Sequence, residues 1–161
     1  KENEDVNAKP RKARKCGRYV LEQVHSAPNI FVIDNFLTDR EITHLARLSA
    51  ESKFERSYTD TEEGKKIFSS ERTSSFTWLH KQHDSITKNI EGRAAEIVGY
   101  PETHVEPFQL VRYEKGQAFK THHDLGPIEG DGNAILMIPP RRVCTFFAYL
   151  NTTPRGQGCT E

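Results

Sequence analysis

Long apolar runs are missing from this 161-residue chain, and the hydrophobic fraction is only 35%. A membrane-spanning helix needs about 18 or more consecutive apolar residues, so none is expected, and no signal-peptide pattern is visible. A surplus of charge is missing too. Twenty-three basic residues meet 23 acidic ones, which removes any general attraction to nucleic acid or to a membrane surface. Cysteine is scarce. Cys16, Cys144 and Cys159 show no zinc spacing, and an odd number leaves at least one thiol outside any internal disulfide. His-rich clusters with a neighbouring Glu, as a zinc hydrolase wants, are absent as well.

What is present fits one domain with a modest core. Residues 1–28 are polar and without apolar periodicity, and Lys9 to Arg18 holds six basic residues. A charge run of this kind reads first as a solvated linker, with a nuclear or membrane-surface signal as the alternative. Ile30-Phe-Val-Ile33 is β-branched and apolar and reads as a strand. Thr38 with Glu41 forms a capping box, and Ile42, Leu45, Ala46 and Leu48 then recur at helical spacing over 39–51. Lys53 to Ser70 reads as a mobile connection or ragged hairpin, and Arg72-Thr-Ser-Ser-Phe-Thr-Trp-Leu79 as a strand. Asp84 is a candidate N-cap for a second helix with Ile86, Ile90, Ala94 and Ile97 on one stripe. Gly99 and Pro101 stop it. Val105 to Tyr113 reads as a strand. Arg142-Val-Cys-Thr-Phe-Phe-Ala-Tyr-Leu150 is apolar on both faces, as a strand buried between two layers would be. Early helices and later strands predict an α+β, mainly β domain.

Chemistry concentrates in Tyr113-Glu-Lys-Gly-Gln-Ala-Phe-Lys-Thr-His-His-Asp124. On a strand, residues i and i+2 share a face, which would set His122 beside Asp124 and turn His123 away. An imidazole and a carboxylate on one face are two of the three ligands of a 2-His-1-carboxylate iron site. The triplet by itself is more often a solvated loop.

Its surroundings carry more. Pro107-Phe-Gln-Leu-Val-Arg-Tyr113, then Gly-Gln-x-Phe, then His-x-Asp resemble the prolyl 4-hydroxylase catalytic domain. This is a branch of the Fe(II)- and 2-oxoglutarate-dependent dioxygenases, and the likeness is nearest to the collagen-type and transmembrane members. It covers about Asn29 to Glu161, including "Asn-Phe-Leu-Thr" at 35–38, "Arg-Thr-Ser" at 72–74 and "Arg-x-x-Thr-x-x-x-Tyr-Leu-Asn" at 142–151. The resemblance implies a double-stranded β-helix (jelly roll) with flanking helices. It also implies Fe(II), 2-oxoglutarate and ascorbate as cofactors, and hydroxylation of peptidyl proline at the 4-position with release of succinate and CO2.

Residue by residue, it makes His122 and Asp124 the catalytic metal ligands. Tyr113 and Thr160 become 2-oxoglutarate contacts, and Arg72, Ser74, Glu106 and Arg142 contacts to a proline-containing peptide. Phe119 departs from the pattern, since close relatives often have Tyr there with its hydroxyl near the substrate proline. A second departure is the distal histidine and the lysine that pairs with 2-oxoglutarate, both of which would lie beyond Glu161. The expectation is therefore a fragment of a longer enzyme, cut before the last strands and inactive or nearly so alone. Two alternatives stay open: a dioxygenase of the same superfamily with another substrate, and a non-catalytic peptide-binding domain of the same fold. The relatives also imply the endoplasmic reticulum lumen, while nothing in the sequence sets an oligomeric state.

Overall fold

The computed structural model describes residues 12–60, 66–122, 124, 128–129, 136–137, 142–154, 158 and 160. The chain divides into two compact units, Lys1–Ile42 and Thr43–Glu161.

In the first unit, β1 (Ala13–Cys16), β2 (Tyr19–Ser26) and β3 (Asn29–Ile33) form an antiparallel sheet in the order β1-β2-β3. Here the linker expectation is corrected for residues 12–28. Tyr19 and Leu21 alternate with Val20 and Glu22 along β2, and the first pair is buried while Val20 is exposed. That period of two is a strand signal, masked in the sequence by the basic residues of β1 and the Gly17-Arg18 turn. Tyr19 anchors the unit. Its ring lies 5.4 Å from Phe36, and its hydroxyl donates to the Phe36 carbonyl at 3.5 Å. Residues 1–11 of the expected linker lie outside the described residues.

Helix α1 (Asp39–Glu51) has the boundaries its periodicity predicts, because its start is set locally. The Glu41 amide donates to Thr38 Oγ1 at 3.3 Å, and the Thr38 amide to Glu41 Oε2 at 2.8 Å, the reciprocal capping box. Leu45 and Leu48, on its apolar stripe, are buried.

The second unit is built on β4 (Glu55–Arg56), β7 (Ser75–Trp78) and β8 (Gln109–Arg112), antiparallel in the order β4-β7-β8. The expected connection over 53–70 contains β4 and a small hairpin, β5 (Thr59–Asp60) with β6 (Lys66–Ile67). Phe76 of β7 and Leu110 of β8 are buried, as are Ile90, Ala94 and Ala95 of α2 (Ser85–Val98). Asp84 caps α2 by accepting the Ile86 and Thr87 amides, each at 2.9 Å. Gly99 ends the helix in the left-handed conformation at φ 82, which a residue with a Cβ adopts only at a cost.

Val105 to Phe108 stays outside β8. A 3-10 turn, η1 (Glu102–His104), precedes it, and Pro107 has no N–H to give a ladder. A further two-stranded pair, β9 (Ile128–Glu129) and β10 (Leu136–Met137), follows. The expectation of a buried central strand over 142–150 is also corrected. Among the described residues this segment joins no ladder, and Val143, Phe147 and Tyr149 are exposed. The architecture is mixed α/β and mainly β, with small antiparallel sheets. No helix among the described residues is long and apolar enough to cross a membrane.

Candidate active site

Tyr113 leaves the end of β8 and enters a turn closed by the Gln117 amide on the Glu114 carbonyl at 3.0 Å. Gly116 sits at its third position with φ 87, the left-handed value that a type II turn demands there. The chain then runs antiparallel to the stretch before β7. The Thr73 amide donates to the Ala118 carbonyl at 2.9 Å, and the Lys120 amide to the Glu71 carbonyl at 2.8 Å. Arg72 and Phe119 face each other as a β-bridge between them.

Two residues past that staple stands His122. Its Nδ1 lies 2.7 Å from the Lys120 carbonyl oxygen. A carbonyl only accepts, so Nδ1 carries the proton and Nε2 keeps a lone pair in the neutral ring. Nε2 is 3.3 Å from Asp124 Oδ1, and Asp124 Oδ2 accepts the Thr145 hydroxyl at 2.5 Å. The two groups do converge, but not through a strand pleat: His122 lies outside the ladders and Asp124 is in a bend.

A lone pair facing a carboxylate oxygen is repulsive unless a cation lies between them. Either a proton on Nε2 or a metal ion meets that need. Two donors at right angles on a metal, with bonds of about 2.1 Å, stand roughly 3 Å apart. The observed separation fits. Each donor is also held from behind, His122 by a carbonyl and Asp124 by a hydroxyl, as metal-binding side chains usually are.

Positive charge gathers beside this pair. Arg142 makes a two-pronged contact with Glu106, Nε to Oε1 at 2.8 Å and Nη2 to Oε2 at 2.9 Å. The Glu106 hydrogen bonds push the Arg142 pKa up, burial opposes them, and the charges of Glu106 and Asp124 add to the rise. The Arg72 guanidinium lies 4.7 Å from the Phe119 ring centroid and 5.5 Å from that of Phe76. Its Nη2 donates to Gln109 Oε1 at 3.2 Å. Burial pulls the Arg72 pKa down, and Arg142 acts in the same sense against Tyr113 and Asp124. Arg72 thus feels the charges of Tyr113, Arg142 and Asp124, and Arg142 feels that of Asp124.

The remaining candidates are placed differently. Ser74, expected as a peptide contact, is fully buried with its hydroxyl on Ser57 Oγ at 2.8 Å, which ties the residue before β7 to the one after β4. Thr160 is exposed, and its described contact is the Tyr149 hydroxyl at 2.6 Å. Among the described residues no group of three His, Cys, Asp or Glu side chains gathers for a metal. His44 is engaged with Asp84 at 2.6 Å and His25 with the Pro28 carbonyl at 2.8 Å, while His123 lies outside the described residues. A concavity of about 450 Å³ lies among Arg18, Val32 and Asp34 of the first unit and holds none of the candidates. Sequence reasoning missed Thr145, although the "Arg-x-x-Thr" spacing from Arg142 already marked it. It also missed the support under His122, which no local pattern announces.

Fold and site together define a mainly β protein with a His–Asp donor pair set beside two arginines. No family model matches the sequence. Curated proteins do. The chain is 39% identical over 136 residues to probable prolyl 4-hydroxylase 8 of Arabidopsis thaliana, covering 84% of this chain and 46% of that protein. It is 38% identical over 142 residues to probable prolyl 4-hydroxylase 3 of the same plant (88% and 48%), and 33% over 140 residues to prolyl 4-hydroxylase 2 (84% and 44%). The chain is a prolyl 4-hydroxylase-like domain, and it spans less than half the length of these curated relatives.

Proposed function

We propose that the protein is an Fe(II)- and 2-oxoglutarate-dependent dioxygenase that hydroxylates peptidyl proline at the 4-position, on a double-stranded β-helix scaffold. The observation that carries this reading is the His122–Asp124 pair, 3.3 Å apart and each back-bonded, in a chain similar to prolyl 4-hydroxylases over most of its length. When bound, iron with 2-oxoglutarate and O2 supplies the oxidising power, releasing succinate and CO2, and ascorbate keeps the iron reduced.

The chain's own residues bind and orient. His122 Nε2 and one Asp124 oxygen hold the metal, and the Lys120 carbonyl and Thr145 hydroxyl keep those donors pointed. Tyr113, beside Arg72, is assigned to the co-substrate, and so is Thr160 through the Tyr149 pairing. Arg142, steadied by Glu106, offers its remaining N–H groups to peptide carbonyls. The relatives bearing this name imply a proline-containing polypeptide as partner and, by resemblance, the endoplasmic reticulum lumen as compartment.

The test is succinate release from 2-oxoglutarate with proline-rich peptides in the intact protein. Asp124→Asn is expected to remove turnover by at least about 100-fold, since it deletes a charged ligand. Turnover unchanged in that variant would defeat the assignment. A second reading, the same chemistry on another substrate, is favoured by Phe119, which has no hydroxyl to offer a proline. A panel of peptides with and without proline separates the two.

A further inference from the structure

An imidazole whose side chain is 40% exposed turns freely about its two side-chain bonds unless both an edge and a face are held. The edge is held by the Lys120 carbonyl. The face is held by Phe119, whose ring centroid lies 3.5 Å from that of His122 with the planes 16° apart. Phe119 is itself fixed twice. Its backbone is stapled to residues 71–73, and the Arg72 guanidinium packs on its ring at 4.7 Å.

We propose that Phe119 is a positioning residue for His122, with Arg72 as its anchor. The stack holds the imidazole plane so that Nε2 stays aimed at the space in front of Asp124. Arg72 then acts through the Phe119 ring rather than by touching a peptide. This fits where its guanidinium is found, between two aromatic rings and Gln109, with Nε buried and without a hydrogen-bond partner. A residue three positions before a metal ligand is thereby part of the ligand's support, and what it must supply is a flat ring, not a hydroxyl. The inference rests on the reading of His122 and Asp124 as metal donors.

The experiment is Mn(II) titration of the intact chain, without peptide or 2-oxoglutarate, followed by electron paramagnetic resonance. The ring protons of His122 are followed by NMR in parallel. Phe119→Leu is expected to weaken Mn(II) binding about 10-fold, in the range for lost second-sphere supports. It should also move the imidazole signals downfield as the ring-current shielding of the stacked face disappears. Phe119→Tyr should restore both. Arg72→Gln should weaken Mn(II) in the same direction, whereas a purely peptide-binding arginine would leave metal affinity untouched. Phe119→Met, similar in volume and without a ring, replaces Phe119→Leu if the latter does not fold. Mn(II) affinity within about 2-fold of the unsubstituted chain in the ringless variant, or unmoved imidazole signals, would overturn the proposal. If the unsubstituted chain shows no His122-dependent Mn(II) binding, the iron reading falls, and the NMR signals alone decide whether Phe119 sets the ring.

Discussion

Asp124 meets its surroundings through two oxygens with different tasks. Oδ1 faces His122, and Oδ2 takes the Thr145 hydroxyl, a short contact to an anionic acceptor. A carboxylate held by one hydrogen bond cannot rotate without breaking it, so the oxygen facing His122 stays in place. Thr145→Val keeps the side-chain outline and removes only the donor. It is expected to weaken Mn(II) binding about 10-fold while thermal unfolding moves by no more than a few degrees, because Thr145 is exposed. Calorimetric titration checks the first and a melting curve the second. Equal Mn(II) affinity in the two proteins would mean that Thr145 does not steer the carboxylate. At this scale the donors were legible from sequence, because His-x-Asp is a local pattern. The supports were not. Thr145 and Asp124 are 21 positions apart, and Arg72 and Phe119 are 47, and only a folded backbone sets such pairs side by side.

Elements whose ends are decided locally were legible to the residue. The Thr38–Glu41 box and the Asp84 and Gly99 caps place α1 and α2 without help from the rest of the chain. Strands were legible only where their neighbours sit alongside. Ser75–Trp78 has β4 and β8 to pair with, whereas Arg142–Leu150, with a stronger apolar pattern, has no ladder partner among the described residues. Hydrophobic pattern states what a segment can bury, not what lies next to it.

The Asp84 cap carries a pH consequence. Burial works to raise the Asp84 pKa, but the Thr87 amide and His44 outweigh it and hold the carboxyl below its ordinary value. A carboxyl depressed in the folded state adds stability above its unfolded pKa of about 4, and that contribution disappears as pH falls through the folded value. Asp84→Asn keeps a capping oxygen and cannot ionise. It is expected to be less stable than the unsubstituted chain by about 1 kcal/mol at pH 7, the gap closing below about pH 4. Urea unfolding at pH 7, 5 and 3 measures it, and a gap that persists at pH 3 would rule out the carboxylate as its source.

Taken as a whole molecule, the chain combines an exposed apolar strip with no net charge to keep copies apart. Val143 is 66% exposed, Phe147 57% and Tyr149 56%, on backbone that no strand among the described residues covers. Apolar segments that join no ladder among the described residues pair with extended chain when any is offered. The sequence pI is ≈ 7.2, so near neutral pH electrostatic repulsion does not oppose that pairing. The 161-residue chain is therefore expected to self-associate reversibly at pH 7, and less at pH 9, where it carries net negative charge. Burying one Phe side chain stabilises a contact by about 2 kcal/mol, so Phe147→Glu should weaken association by more than about 10-fold. It should leave the His122–Asp124 pair and its Mn(II) affinity unchanged. Sedimentation velocity over a concentration series reads the first expectation, and the same Mn(II) titration reads the second. Concentration-independent monomer at pH 7 in the unsubstituted chain would show that residues 143–149 are covered in solution after all, by contacts that close the strip within one molecule.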